Sequence, residues 1–293
     1  MSEPTITEDK TVQLSNLFEK LKPNLVGTET RVGTLAVYKN DVVISYALRL
    51  YGEYCHAEVE IMSNFLDKDS LYIDVGTNIG YHILGVYKNT NCKCLGFEPH
   101  PKHFAVASYN CQNYNDIALI NAAISDTSDD ITLTDFDETV IQNYGEVKIP
   151  DNDELPTITT PSIVLDNLSL SGCTLIKIDV EGNEMRVLRG AEKTIDKFKP
   201  VILYEAMDVD VWAECVSFMK QKGYKQYWVI SKTDPLTDTF KPRTEIKPFG
   251  DSSVPNVLCI PEEVTQPKNL VPVVEGEYAI ECIERYKNYR LIF

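Results

Sequence analysis

No part of this chain constrains its fold more than Leu71-Tyr72-Ile73-Asp74-Val75-Gly76-Thr77-Asn78-Ile79-Gly80-Tyr81-His82. A short apolar strand ends near an acidic residue, turns through glycine and passes directly into helix-forming residues. Asp74, Gly76, Asn78 and Gly80 recur at every second position. In such a turn the missing side chains let a ligand approach the backbone, and the N–H groups of the following helix point into the same space. The stretch therefore predicts a strand–helix unit and a binding edge together.

Strand and helix signals alternate from that turn onward. Strands are expected at 71–75, 92–97, 117–124, 175–179, 201–204, 224–230 and 257–260, with helices at 79–87, 102–113, 184–198 and 210–222. This alternation predicts parallel strands, right-handed crossovers and helices on both faces, an open three-layer α/β sandwich. Ahead of it, 8–22 carries an apolar stripe at helical spacing, with Thr7 as its cap and Pro23 as its end. Segments 31–38 and 42–45 read as a hairpin joined by Lys39-Asn40-Asp41, and 52–66 reads as a further helix. A fourth strand at 131–134 has antiparallel character, and the acidic, proline-bearing segment 135–161 reads as a surface insertion. A closing helix is expected at 277–289. The organisation is an N-terminal accessory segment or cap (1–70), a core (71–261) and a C-terminal helical tail (262–293).

Charge restricts the partners. Lys plus Arg number 28 and Asp plus Glu number 44, a net charge of −16. Such a surface repels nucleic-acid backbones and anionic membranes over long range. No apolar run approaches the roughly 20 residues of a bilayer span. The first residues, Met1-Ser2-Glu3-Pro4-Thr5, lack a basic-then-apolar leader, so the eight cysteines are expected reduced, in a cytoplasmic setting. Cys92-Lys93-Cys94 is placed in a strand, where neighbours face opposite ways, and reads as structural rather than zinc-binding.

In such a sheet, ligands bind beyond the carboxyl ends of the strands. The polar residues there are Asp74, Glu98, Asp179 with Glu181, and Glu205, and four acidic strand ends exceed what polar loops alone require. Glu98 follows Gly76 by 22 residues, where a carboxylate can accept both hydroxyls of a ribose. A dinucleotide fingerprint aligned on Gly76 needs glycine where Asn78 and Tyr81 stand. Asp74 would also oppose a pyrophosphate. An acidic residue at the turn suits a cationic ligand, which favours S-adenosylmethionine over NAD.

Several blocks of the chain together resemble the FkbM-type family of S-adenosylmethionine-dependent methyltransferases. They are the opening stretch, Phe97-Glu98-Pro99-His100-Pro101, Asn121-Ala122-Ala123-Ile124-Ser125-Asp126, Val164-Leu165-Asp166-Asn167-Leu168, Leu175-Ile176-Lys177-Ile178-Asp179-Val180-Glu181-Gly182-Asn183-Glu184 with Val187-Leu188-Arg189-Gly190-Ala191, and Pro200-Val201-Ile202-Leu203-Tyr204-Glu205. Thr77 stands where the family commonly has alanine. The resemblance covers 51–205 and, loosely, 256–260. It implies a class I methyltransferase (Rossmann-like) sheet of seven strands with an antiparallel last strand, and methyl transfer to an oxygen of a sugar or natural product. Carried over, Asp74, Gly76, Asn78 and Gly80 belong to the turn that holds the methionine part, and Glu98 holds the ribose. Ser125 or Asp126 lies by the adenine, and Asp179, Glu181 and Glu184 face the methyl and the acceptor.

A sugar hydroxyl is a poor nucleophile, so a base that takes its proton helps. Asp179 is the expected base, followed by Glu181 and Glu205, with His82 a candidate on the acceptor side. Asp179, Glu181 and Glu184 also offer the hard oxygens that suit Mg²⁺. The resemblance implies that Tyr51, Glu53, Tyr54 and His56 close over the site, and their aromatic content suits core packing equally well; His100 and His103 are placed to shape the adenine edge or cap a helix. Lys177 reads as a sheet-edge or insertion-facing residue, and Arg186 and Arg189 as helix salt-bridge partners. The expected function is an O-methyltransferase acting on a sugar or glycan hydroxyl. The alternatives are an NAD(P)-dependent oxidoreductase or epimerase, opposed by the missing glycines, and a cofactor-binding module without turnover, opposed by the intact carboxylates.

Overall fold

A computed structural model describes residues 8–150, 155–233, 240–241, 248–249, 252–266, 270–274 and 276–277. Helix α1 (Glu8–Leu21) leads through a short 3₁₀ turn into an antiparallel hairpin, β1 (Leu25–Thr30) and β2 (Gly33–Tyr38). The expected hairpin at 31–38 and 42–45 is thus shifted by one element. Gly33, at φ +107°, supplies the left-handed turn at Arg31-Val32. Asp41 accepts from the N–H groups of Val43 and Ser45, which starts helix α2 (Ile44–Tyr51) where a strand was expected. Helix α3 (His56–Ser63) follows.

The core then runs β3 (Leu71–Val75), α4 (Tyr81–Thr90), β4 (Lys93–Phe97), α5 (Pro101–Cys111) and β5 (Ile117–Ile120). The third expected strand divides at Asn121, whose amide donates to the carbonyls of Glu98 and Pro99. Its second half, β6 (Ala123–Ile124), joins β7 (Asp130–Thr134) and β8 (Thr157–Ile163) in a separate three-stranded sheet. The chain continues with β9 (Leu175–Ile178), α6 (Glu184–Gly190), α7 (Glu192–Phe198), β10 (Val201–Glu205), α8 (Val209–Gln221), β11 (Tyr224–Lys232), β12 (Ser253–Pro261) and β13 (Val271–Pro272). The helix expected at 184–198 is therefore two helices. Thr7, Cys282 and the closing helix lie outside the described residues.

The main sheet has the order β13-β11-β12-β10-β9-β3-β4-β5. β12 runs antiparallel to both neighbours, as the resemblance implies, and β13 adds a short eighth strand at the edge. Residues alternate between two apolar layers: Tyr72, Leu175 and Leu203 pack under the N-terminal elements, whereas Ile73, Ile176 and Ile202 pack under α6 and α8. After β3 the chain adds strands on one side and then, from β9, on the other. The switch in strand order thus falls between β3 and β9, where a crevice opens in such sheets.

Two expectations are corrected here. The 135–161 segment is not merely a surface insertion. Phe136 and Tyr144 are buried and stack 4.4 Å apart, Phe136 also stacks on His100 at 4.6 Å, and β8 begins within the segment. Cys92 and Cys94, two residues apart, share a face, and their thiols approach to 3.6 Å.

Candidate functional site

The opening turn sits at the switch point. Gly76 has φ +91°, and a Cβ there would lie 1.8 Å from the Asp179 carbonyl oxygen of the neighbouring strand end. Its N–H and that of Thr77 both donate to the Phe97 carbonyl, tying the turn to β4. Asn78 tolerates φ +50° because its side-chain oxygen accepts from the Ile79 N–H at 2.8 Å. Gly80 does not line the cleft. It starts α4 at φ +91° and packs against Ala107 and Cys111 of α5. Asp74 does not reach the cleft either. Its carboxylate is fully buried with no hydrogen bond of good geometry, and burial pushes it up to about 6, with the Lys177 charge and the Tyr72 and Thr77 hydroxyls opposing.

On the β4 side, Glu98 lines the cleft. Its two oxygens accept from the N–H groups of Asn78 and His100 at 2.7 and 2.8 Å. Burial nevertheless raises its carboxyl to about 8, against those two bonds. Each oxygen keeps a further lone pair for a hydroxyl donor. Ser125 lines the same wall, whereas Asp126 is drawn back by Arg186, whose Nε lies 3.1 Å away. A Cβ on Gly190 would meet the Ser125 carbonyl oxygen at 2.0 Å, so α6 is packed directly on this loop. His100 caps α5 by accepting from the Lys102 N–H, and His103 borders the cleft.

On the β9–β10 side, ligand oxygens of Asp179, Glu181 and Glu205 lie within 4.8 Å of one another. This spacing could hold a cation. Glu184 is not in that cluster: it turns back to accept from the N–H groups of Val180 and Gly182, bracing the loop. Glu205 stands at the end of β10 within that cluster. Burial, then the Asp179 charge, raises Glu181 to about 8 and Glu205 well above the usual carboxylate range. Glu181 also adopts φ +51°, a left-handed conformation that strains a residue with a side chain.

The N-terminal elements supply the roof. Tyr54, Cys55 and Glu58 border the cleft, and Asn143, Gly145, Val147 and Ile149 also line it, around about 1310 Å³ including the open mouth. Glu53 instead pairs with Arg31 at 2.6 Å, and Tyr51 is buried in the core. His56 Nδ1 lies 2.9 Å from the Tyr81 hydroxyl. His82 lines the cleft with Nε2 3.8 Å from Glu58, but burial and the Lys177 charge hold its pKa well below normal, which makes it a weak base. Arg189 pairs with Glu214 at 3.1 Å.

Sequence reasoning missed two residues. Glu58 is buried on α3, raised to about 7 by burial, and accepts from Asn256 at 3.0 Å. Its signal was a carboxylate on the apolar face shared with Ile61 and Met62. Lys177 is neither at a sheet edge nor at the insertion: it is 2% exposed in a central strand, with Nζ 2.9 Å from Asp179. Its signal was a lone ammonium inside an apolar strand.

Residues 74–225 match the model of the methyltransferase FkbM domain. Hexuronic acid methyltransferase AglP of Haloferax volcanii is 27% identical over 157 residues, covering 52% of this chain. The match spans 62% of that relative's length. Among solved structures, methyltransferase FkbM from Methylobacillus flagellatus KT aligns with TM-score 0.41 and 13% identity over 85% of this chain and 60% of its own. Precorrin-6y C5,15-methyltransferase from Geobacter metallireducens GS-15 aligns with TM-score 0.44 and 12% identity over 70% and 86%.

Proposed function

The chain belongs to the FkbM methyltransferase family, and from that premise we propose that it is an S-adenosylmethionine-dependent O-methyltransferase acting on a hydroxyl of a sugar or glycan. The observation that carries this reading is the convergence of Asp179, Glu181 and Glu205 beside the Gly76 turn. Carboxylates crowded in this way keep protons they would otherwise lose, and a positive charge beside them relieves the repulsion. The residues present therefore fit a sulfonium cofactor. When bound, it supplies a methyl group on positively charged sulfur, which an oxygen nucleophile takes as the C–S bond breaks.

Glu98 is the carboxylate suited to the ribose hydroxyls, and Gly76, whose missing side chain lets the Asp179 backbone close in, brings Asp179 to the same edge. Asp179 is already ion-paired with Lys177, so one of its oxygens is engaged before an acceptor arrives. We therefore move the base role, first expected of Asp179, to Glu181. Its raised carboxyl lies near neutrality and becomes a proton acceptor once a cation favours its ionised form. Glu205 stands beside it as a second acceptor. The roof from Tyr54 to Glu58 and the segment from Asn143 to Ile149 bound the space for the acceptor.

A sugar acceptor is supported by the relative named for hexuronic acid. The acidic cleft and net charge of −16 disfavour a nucleic acid. Among the described residues no helix is long and apolar enough to cross a membrane. The test is calorimetry with S-adenosylmethionine, S-adenosylhomocysteine and NAD, followed by labelled methyl transfer to hexose and hexuronate glycosides. Binding of both S-adenosyl compounds and methyl ether formation are expected; binding of NAD alone overturns the reading.

A further inference from the structure

An ammonium group is an unusual occupant of the middle of a parallel sheet. Lys177 stands in β9 between Ile176 and Ile178, with β10 and β3 paired on either side. Its register partner on β3 is Asp74, and the charges of Asp179, Asp74 and Glu58 all act on it. A buried charge is retained only where it is paired, because desolvation otherwise outweighs what a fold returns. The pairing is uneven. Glu58 is engaged by Asn256, and the Asp74 carboxylate makes no hydrogen bond of good geometry. The direct contact, 2.9 Å from Nζ to Oδ2, goes to Asp179, which stands at the switch point beside Gly76. Lys177 makes this contact from inside the sheet without lining the cleft, whereas Asp179 lines it.

We propose that Lys177 is a positioning residue: from within the sheet it holds one oxygen of Asp179, so that the other is presented to a positively charged sulfur in the cleft. This rests on the methyltransferase reading above. A charge-assisted contact fixes a carboxylate more firmly than a neutral one, and the sheet fixes Lys177 in turn. The role can be told from a plain field effect, because the two have opposite signs. Removing a cation from beneath the cleft strengthens the hold on a cationic ligand if only its field matters. Removing the group that orients Asp179 weakens that hold.

The probes are S-adenosylmethionine and S-adenosylhomocysteine, which differ by a methyl group and a positive charge on sulfur. Their affinities are measured by calorimetry in a D74N background, where one buried carboxylate has already been removed and loss of the ammonium does not leave the layer more anionic than in the wild type. There K177M is expected to shift the ratio of the two affinities about tenfold against S-adenosylmethionine. The S-adenosylhomocysteine affinity stays within about twofold and the melting temperature within a few degrees. K177R, which keeps a donor toward Asp179, is expected to retain most of the preference. With D179N also present, K177M is expected to change the ratio no further. An unchanged ratio, a shift toward S-adenosylmethionine, or an effect that persists without the Asp179 carboxylate each overturns the proposal. A wild-type protein that binds neither compound fails at the first measurement, which removes the methyltransferase reading and this role with it; wild-type binding with an unresponsive ratio removes the positioning role only.

Discussion

The two walls of the cleft are built from the same parts, carboxylates at the ends of neighbouring parallel strands, yet they are satisfied to different degrees. At β4, Glu98 receives two backbone N–H groups and is fixed before any ligand arrives. At β9 and β10, Asp179, Glu181 and Glu205 face one another, Glu181 sits on a strained backbone, and an ammonium reaches the group from beneath. The first arrangement suits holding a neutral part of a ligand in one place. The second stores repulsion that a cation releases, which is how a site prefers a charged reactant. On the function proposed above, binding and chemistry are divided between the walls.

Breaking the division altogether requires changing what joins the walls, and Gly76 is that joint. Gly76→Ala places a methyl group 1.8 Å from the backbone of Asp179, at a position whose φ of +91° already penalises a side chain. Chemical denaturation is expected to show a loss of at least about 4 kcal/mol, or no folded protein. A variant of near-normal stability would mean that β3 and β9 can separate, and that the walls are not held rigidly.

Glu181→Gln tests the chemical wall alone. Turnover is expected to fall by about 10²- to 10⁴-fold, the range for loss of a general base, while S-adenosylhomocysteine affinity stays within about threefold. Equal losses in binding and turnover would place Glu181 with Glu98 as a binding group.

Proton uptake reads both walls together, because burial raises carboxyls on each. Glu181 and Glu98 are raised to about 8, and Glu58 and Glu184 to about 7, from an ordinary value of 4.5. The folded chain therefore keeps protons that the unfolded chain has released, and stability falls as pH rises. The loss begins near pH 4.5 and is complete above about pH 8, at about 1.4 kcal/mol per pH unit for each retained proton. Urea titrations at pH 5, 6.5 and 8 read this slope. Addition of S-adenosylmethionine near pH 7 is expected to release protons, seen as a dependence of calorimetric heat on the ionisation enthalpy of the buffer. Proton uptake instead would contradict a cation beside the acidic wall.

Legibility in the sequence follows the same division. The residues of strand β3 were read to the residue, because an apolar run closed by Gly76 has one plausible end. Gly76, Glu98 and Asp179 could be assembled because a parallel sheet brings strand ends to one edge. The hairpin was displaced because β1 carries Gly27, Thr28, Glu29 and Thr30 in place of an apolar alternation, and because Asp41 acts as a cap. Gly80 and Asp74 lie in the right motif but face α5 and the sheet interior, and which way a turn residue faces is decided by tertiary packing. Lys177 reads as a sheet-edge residue and Glu58 draws no reading, because each becomes informative only when the packed layers are in place. The β12 direction came with the family motifs rather than with periodicity.

The smallest expected effect tests whether the walls act independently. Arg186, on α6 beside the acidic wall, reaches across to Asp126 on the loop of the opposite wall, and both side chains are about one-third exposed (36% and 30%). Solvent screening holds such a pair to about 1 kcal/mol or less. Arg186→Ala is therefore expected to lower stability by no more than that and to change S-adenosylmethionine affinity by less than about threefold. The packing of Gly190 on the Ser125 carbonyl keeps the loop in place when the ion pair is gone. A tenfold loss of affinity in this variant would show that the ion pair sets the distance between the walls, and that the satisfied wall depends on the strained one.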